Sequence, residues 1–224
     1  MTETQARDEI CRVGCSLFER GHVHASAGNI SVRLAASEGG GYLITPTDAC
    51  LGFLDPARLA RLDSEGRQTS GDRASKTIAL HARIYSEATQ FDAKISCVVH
   101  THSTHCVALT LGQLADELLP PITPYFVMKV GHVPVIPYHH PGAPETVERV
   151  ARAIRHYGQA GTPLRAVMLA RLGPNVWHDS PAAAMATLEE LEETARLVRL
   201  CPAGVEPLTE SAINELRQVF GARW

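Results

Sequence analysis

The chain has 224 residues, 45% hydrophobic and 20% charged, with a formal net charge of −3 and 11 histidines. That suffices for one domain spanning 1–224, with no basic lobe for nucleic acid, no ~18-residue apolar run for a membrane span and no signal-peptide layout at Met1–Arg7. Six scattered cysteines without a CxxC pair read as reduced, mostly buried thiols of a cytoplasmic protein.

Ile10, Val13, Leu17 and Phe18 recur at helical spacing, and Gly21 closes that helix. Ile30, Val32 and Leu34 alternate, as do Tyr42 and Ile44, which predicts a hairpin with Gly39-Gly40-Gly41 at its tip. A helix is predicted over Ser75–Ala88, and Ile95–Val99 is a short apolar run suited to a buried central strand. His132–Tyr138 reads as extended, with prolines that put it at an edge or bend. Val147, Val150, Ala151 and Ile154 mark another helix, and Ala166–Ala170 another buried strand. Ser180 followed by Pro181 opens a helix whose apolar face is Leu188, Leu191, Ala195 and Val198. Strands and helices mix without regular alternation, which predicts an α/β domain with helices on both sides of a mostly antiparallel sheet.

The sharpest chemical feature is Val98-Val99-His100-Thr101-His102-Ser103-Thr104-His105. Side chains two apart on a strand share a face, so the His100 and His102 imidazoles can reach one metal ion. His105 falls in the first turn of a following helix. A bare HxH is also an ordinary polar strand ending. Ser26-Ala27-Gly28-Asn29-Ile30-Ser31 sets a Gly-Asn turn before a strand, where backbone N–H groups can converge on an anion. Ile44-Thr45-Pro46-Thr47-Asp48 makes a second turn. Gly71-Asp72-Arg73-Ala74-Ser75-Lys76-Thr77 opens a helix with hydroxyls and a lysine, as a phosphate cradle does. Each of these three also has a plain turn or capping reading.

In this order, the Gly-Asn turn, the TPT turn, the SK helix start and HTHxxH together resemble the class II aldolase/adducin superfamily, typified by fuculose-phosphate aldolase. The resemblance runs from the first helix to near Leu200. Ile44–Leu54, Pro120–Pro137 and Leu188–Leu197 are similar in particular to the 3-oxo-tetronate 4-phosphate decarboxylases, which convert a phosphorylated four-carbon β-keto acid to dihydroxyacetone phosphate and CO2. The resemblance implies a three-layer α/β/α fold with a central, mostly antiparallel sheet, assembled as a homotetramer. It also implies a divalent metal, expected to be Zn2+, and a small sugar-acid phosphate as substrate. His100 and His102 would be metal ligands, Gly28, Asn29, Thr47, Ser75 and Lys76 would surround the phosphate, and Tyr125 would reach a neighbouring subunit's site. On the same resemblance, Tyr125 and Thr77 would hold the catalytic positions.

Two positions depart from the family pattern. Thr77 stands where the aldolases carry a glutamate acid/base, and Leu172, in Arg171-Leu172-Gly173, stands where they carry a third histidine ligand. His81, His105, His139, His140 and His178 are substitutes by residue type, while His22, His24, His132 and His156 read as surface or packing residues. Thr77 separates two reactions. Forming an enediolate from dihydroxyacetone phosphate needs a base for a carbon-bound proton, whereas departing CO2 leaves its electron pair behind. The expected function is therefore metal-dependent decarboxylation of 3-oxo-tetronate 4-phosphate, a carbon–carbon lyase reaction, with Tyr125 or water returning the proton. Its rivals are sugar-phosphate aldol cleavage and a catalytically reduced binding or scaffold protein on the same fold.

Overall fold

In the computed structural model, which describes residues 1–224, alternation along the strands feeds two separate cores. Helix α1 (Glu3–Glu19) precedes strands β1 (Asn29–Arg33), β2 (Tyr42–Ile44), β3 (Ala60–Leu62) and β4 (Gln68–Ser70). Then come α2 (Ile78–Ala88), β5 (Cys97–His100), α3 (Thr104–Leu109), α4 (Pro124–Lys129), β6 (Val135–Ile136) and α5 (Pro144–Gln159). The chain ends with β7 (Ala166–Leu169), β8 (Gly173–His178), α6 (Pro181–Leu200) and α7 (Glu210–Phe220). The strands make one sheet in the order β4-β3-β2-β1-β5-β8-β7-β6. Every pair is antiparallel except β6 with β7.

One core joins Ile10, Val13 and Leu17 of α1, Phe126 of α4 and Leu188 and Leu191 of α6 to Ile30, Val32, Val99, Met168 and Val176 of the sheet. The other joins Leu80, Ile84 and Tyr85 of α2 and Val150 and Ile154 of α5 to Val98, Val167 and Trp177. Helices thus cover both faces of a mostly antiparallel sheet, as the sequence predicts. Strand β5 is apolar on both faces, so its own pattern does not choose a register. Its neighbours do: β1 sends Ile30 and Val32 to the first core, while the Ser31 hydroxyl meets His81 and Tyr85 of α2. A one-residue slip would exchange these faces and bury Ser31 and His100 among aliphatic side chains.

The hairpin forms with all three tip glycines at positive φ. Gly41 has no room for a side chain, since a Cβ there would lie 2.2 Å from the Leu62 carbonyl oxygen. The His132–Tyr138 segment contributes only β6, at the sheet edge, hemmed in by Pro134 and Pro137. Three expectations need correction. The predicted Ser75–Ala88 helix starts at Ile78, because Ser75–Thr77 forms a tighter turn in which Ile78 N–H donates to the Ser75 carbonyl. The predicted Ile95–Val99 strand is Cys97–His100, because Ile95 N–H is taken by Asp92 in a turn. Only Cys97 and Cys106 are buried; Cys11 and Cys15 flank the Ile10/Val13/Leu17 stripe of α1, Cys50 is partly covered and Cys201 is exposed.

Candidate functional site

Cross-strand register builds the site from polar residues on a sheet that is otherwise apolar at its centre. Asn29 of β1 and Asn175 of β8 both pair with His100, so three polar side chains stand side by side at one sheet end. By alternation with Val98 and Trp177 they lie on the α2 face. All three are buried. His100 Nδ1–H donates to the Pro174 carbonyl at 2.9 Å, which fixes the tautomer and leaves Nε2 with its lone pair. Burial, reinforced by the neighbouring His102, lowers the His100 pKa to about 4. His102, just past the strand end, is also pushed down, by burial and then by His24. The His100 and His102 rings stand 5.1 Å apart, centroid to centroid. Neutral imidazoles in this arrangement suit a divalent cation as donors.

The turn carrying His102 is pinned from below. Thr101 and Ser103 hydroxyls share a 2.6 Å hydrogen bond. Beyond them the buried Glu192 carboxylate of α6 accepts from the backbone N–H of His105 and of Cys106, at 2.8 and 3.0 Å, and from His105 Nδ1 at 2.8 Å. A carboxylate is the favoured partner for a helix N-terminus, and here it caps α3 from a neighbouring helix.

Gly28 is held at φ +85°, and a Cβ there would meet the His100 carbonyl oxygen at 2.8 Å. Glycine therefore lets the Gly28-Asn29 turn lie against the histidine strand. Asn29 Oδ1 has no hydrogen-bond partner. Thr45 Oγ1 accepts from Ile30 N–H at 3.2 Å, and the Thr45 carbonyl accepts from Ser75 N–H at 3.3 Å. Thr47 N–H donates to the Arg73 carbonyl at 2.9 Å, so the three turns are tied together by backbone groups. Ser75 is buried, with its hydroxyl 2.8 Å from that of Thr77, while Lys76 is exposed. Thr47 also lines a cleft of about 440 Å3 with Asp48, Asp55, Arg58, Asp72 and Arg73, and no histidine reaches it. Tyr125 projects from α4 and is exposed.

The structure thus brings Gly28, Asn29, His100 and His102 together directly and ties Ser75 to them through Thr45. Three further residues stand beside them: Asn175, which sequence reading missed, His81, named there only as a substitute ligand by type, and His24. Asn175 is buried with both side-chain polar atoms unpartnered; its only signal was an amide inside an apolar strand. His81 is buried with Nδ1 2.8 Å from the Ser31 hydroxyl and Nε2 unpartnered. Burial, then His100, lowers its pKa to about 3. His24, expected to be a surface or packing residue, stands edge-on to His102 with ring centroids 6.4 Å apart. Buried polar atoms are normally satisfied, so the unpartnered atoms of Asn29, His81 and Asn175 stand out.

Leu172, at the expected third-ligand position, packs on the apolar α2/α5 core. Of the substitutes by type, His81 is held through Nδ1 by Ser31 with Nε2 left free, His105 is held by Glu192 and His178 by Asp179, and His139 Nε2 is buried without a partner. His139 and His140 follow β6, three strands from β5 in the sheet. No three His, Cys, Asp or Glu side chains already converge closely enough to cage a metal ion. No helix is long and apolar enough to cross a membrane.

Residues 8–198 match the family model described as class II aldolase and adducin N-terminal domain. The chain is 50% identical to a 3-oxo-tetronate 4-phosphate decarboxylase from Cupriavidus necator, covering 100% of this chain and 99% of that protein. Its fold is similar to the crystal structure of YgbL from Escherichia coli, at TM-score 0.84 and 37% identity over 96% of this chain and 99% of that one. It is also similar to L-fuculose-1-phosphate aldolase from Thermus thermophilus, at TM-score 0.72 and 26% identity over 91% of this chain and 98% of that one.

Proposed function

The chain belongs to the class II aldolase and adducin family, and from that membership we propose that it is a carbon–carbon lyase converting 3-oxo-tetronate 4-phosphate to dihydroxyacetone phosphate and CO2. The similarity to a decarboxylase over the full chain supports this choice over the aldolases. Loss of CO2 leaves the bonding pair on C2, the adjacent C3 carbonyl takes it up as an enediolate, and a proton returned to C2 completes the product. The observation that carries the reading is Thr77. Its hydroxyl, 2.8 Å from that of Ser75, cannot take a carbon-bound proton near neutrality, and decarboxylation does not require that it should.

His100 and His102 would hold a divalent cation, with zinc the expected ion, and such a cation supplies Lewis-acid polarisation of the ketone. Gly28, Asn29, Thr47, Ser75 and Lys76 would bind the phosphate, through backbone N–H groups, an amide, hydroxyls and one ammonium. The Asn175 amide, with donor and acceptor both unpartnered, is free to hold the hydroxyl and carbonyl oxygens beside the histidines. Tyr125 would return the proton from a neighbouring subunit of a homotetramer, each chain acting as one domain. Six free cysteines support a cytoplasmic setting.

The test pairs CO2 release from the keto acid with deuterium wash-in to dihydroxyacetone phosphate, read by NMR. CO2 release with stoichiometric dihydroxyacetone phosphate is expected. Thr77→Val should lose less than the ~10²–10⁴-fold that removing a general base costs. Rapid proton exchange without CO2 release would overturn the reading and return a base to the site.

A further inference from the structure

We propose that His24 is the third protein ligand of the divalent cation held by His100 and His102, supplying from the loop before β1 the donor that Leu172 cannot. This rests on the metal reading above and adds a residue to it.

Two imidazoles sharing one tetrahedral zinc, with Zn–N of ~2.0–2.1 Å, have ring centroids about 5 Å apart. The His100 and His102 rings already stand at 5.1 Å. The His24 and His102 rings stand at 6.4 Å, so His24 has to approach by about 1.3 Å, the difference between 6.4 and 5.1 Å, to share the ion on the same terms. The His24 side chain is exposed, so its rotation is not opposed by packing.

The backbone beneath it is anchored. Val23 is buried, the His24 carbonyl accepts from Ala27 N–H at 2.9 Å, and Ala25 sits at φ +48°, a left-handed conformation that alanine adopts only where the turn imposes it. Gly28, four residues on, packs its backbone against the His100 carbonyl. The loop is therefore fixed beside the histidine strand while the imidazole is free to turn toward it. The position of Leu172 is close by: Gly173 is so tight against Thr101 and His102 that a Cβ on it would lie 1.9 Å from the Thr101 carbonyl oxygen. Other histidines are less well placed. Among the histidines, His24 and His100 are the two whose rings stand against that of His102.

The experiment strips the full-length protein with chelator and titrates it with Zn2+ by calorimetry, repeating with Co2+, whose visible spectrum reports ligand number. His24→Ala should weaken Zn2+ binding by about tenfold or more, equivalent to about 1.4 kcal/mol. Adding Leu172→His to that variant should restore affinity, because the family's donor then replaces the missing one. Circular dichroism of His24→Ala should be unchanged, since the ring is exposed. If His24→Ala binds Zn2+ as tightly as the wild type while His100→Ala does not bind it, the His24 assignment is wrong and the metal reading stands. If the wild type binds neither ion, both fall.

Discussion

At the scale of single residues, the site is a set of polar groups held on a sheet that has every reason to be apolar. Asn175 shows the cost most directly. An unpartnered buried amide carries a desolvation penalty of about 1–3 kcal/mol, and here neither of its polar atoms has a partner. Asn175→Val keeps a strand-forming residue and removes both atoms. It should raise the melting temperature and, if the amide holds substrate, raise KM for the keto acid. A raised melting temperature with unchanged KM would give Asn175 no part in binding. Sequence alone exposed His100 and His102 because strand periodicity puts i and i+2 on one face. It could not expose Asn175 or His24, which reach the pair through strand order and loop placement, and neither has a spacing to read.

Elements matter here for what they hold still. The HTH turn leaves β5 and enters α3, a helix of six residues that is too short to be stable alone. Its first N–H groups are satisfied from α6, by Glu192, and α6 is in turn started by Ser180, whose hydroxyl accepts from Ala183 N–H at 3.3 Å. Hydrogen bonds to a charged group contribute about 1.5–3 kcal/mol against 0.5–1.5 for neutral ones, so Glu192→Gln should destabilise by about 1–2 kcal/mol. Urea unfolding would show a lower midpoint at unchanged slope. An unshifted midpoint would mean that the α3 amides find other partners. The Ser180-Pro181 start was readable because capping is local chemistry. The Glu192 cap spans 87 positions from His105, and nothing local announces it. The start of α2 was misplaced for a related reason: Ser75 and Thr77 look like caps, but their hydroxyls bond to one another.

For the whole molecule, the sheet gathers the start of β1, the end of β5 and the start of β8 at one end, and the histidine pair sits there. The layer architecture was foreseeable from alternation and amphipathic helices; the strand order was not, because β8 inserts between β5 and β7 after most of the chain has been laid down. Assembly is the remaining level, and Tyr125 is its probe. It is 60% exposed on α4, unlike Phe126 beside it, which is wholly buried. An aromatic so presented is accessible to a neighbouring chain. If a neighbour's histidines are its target, each site takes His100 from one chain and Tyr125 from the next. Tyr125→Phe and His100→Ala chains would then be deficient alone. Co-assembled at equal amounts in a cyclic oligomer, random mixing gives about one quarter of the interfaces a good half from each chain. CO2 release should recover toward about one quarter of the wild-type rate per site, since an intact site needs only the right neighbour. Verified mixed oligomers that recover nothing would mean that Tyr125 acts within its own chain or not at all.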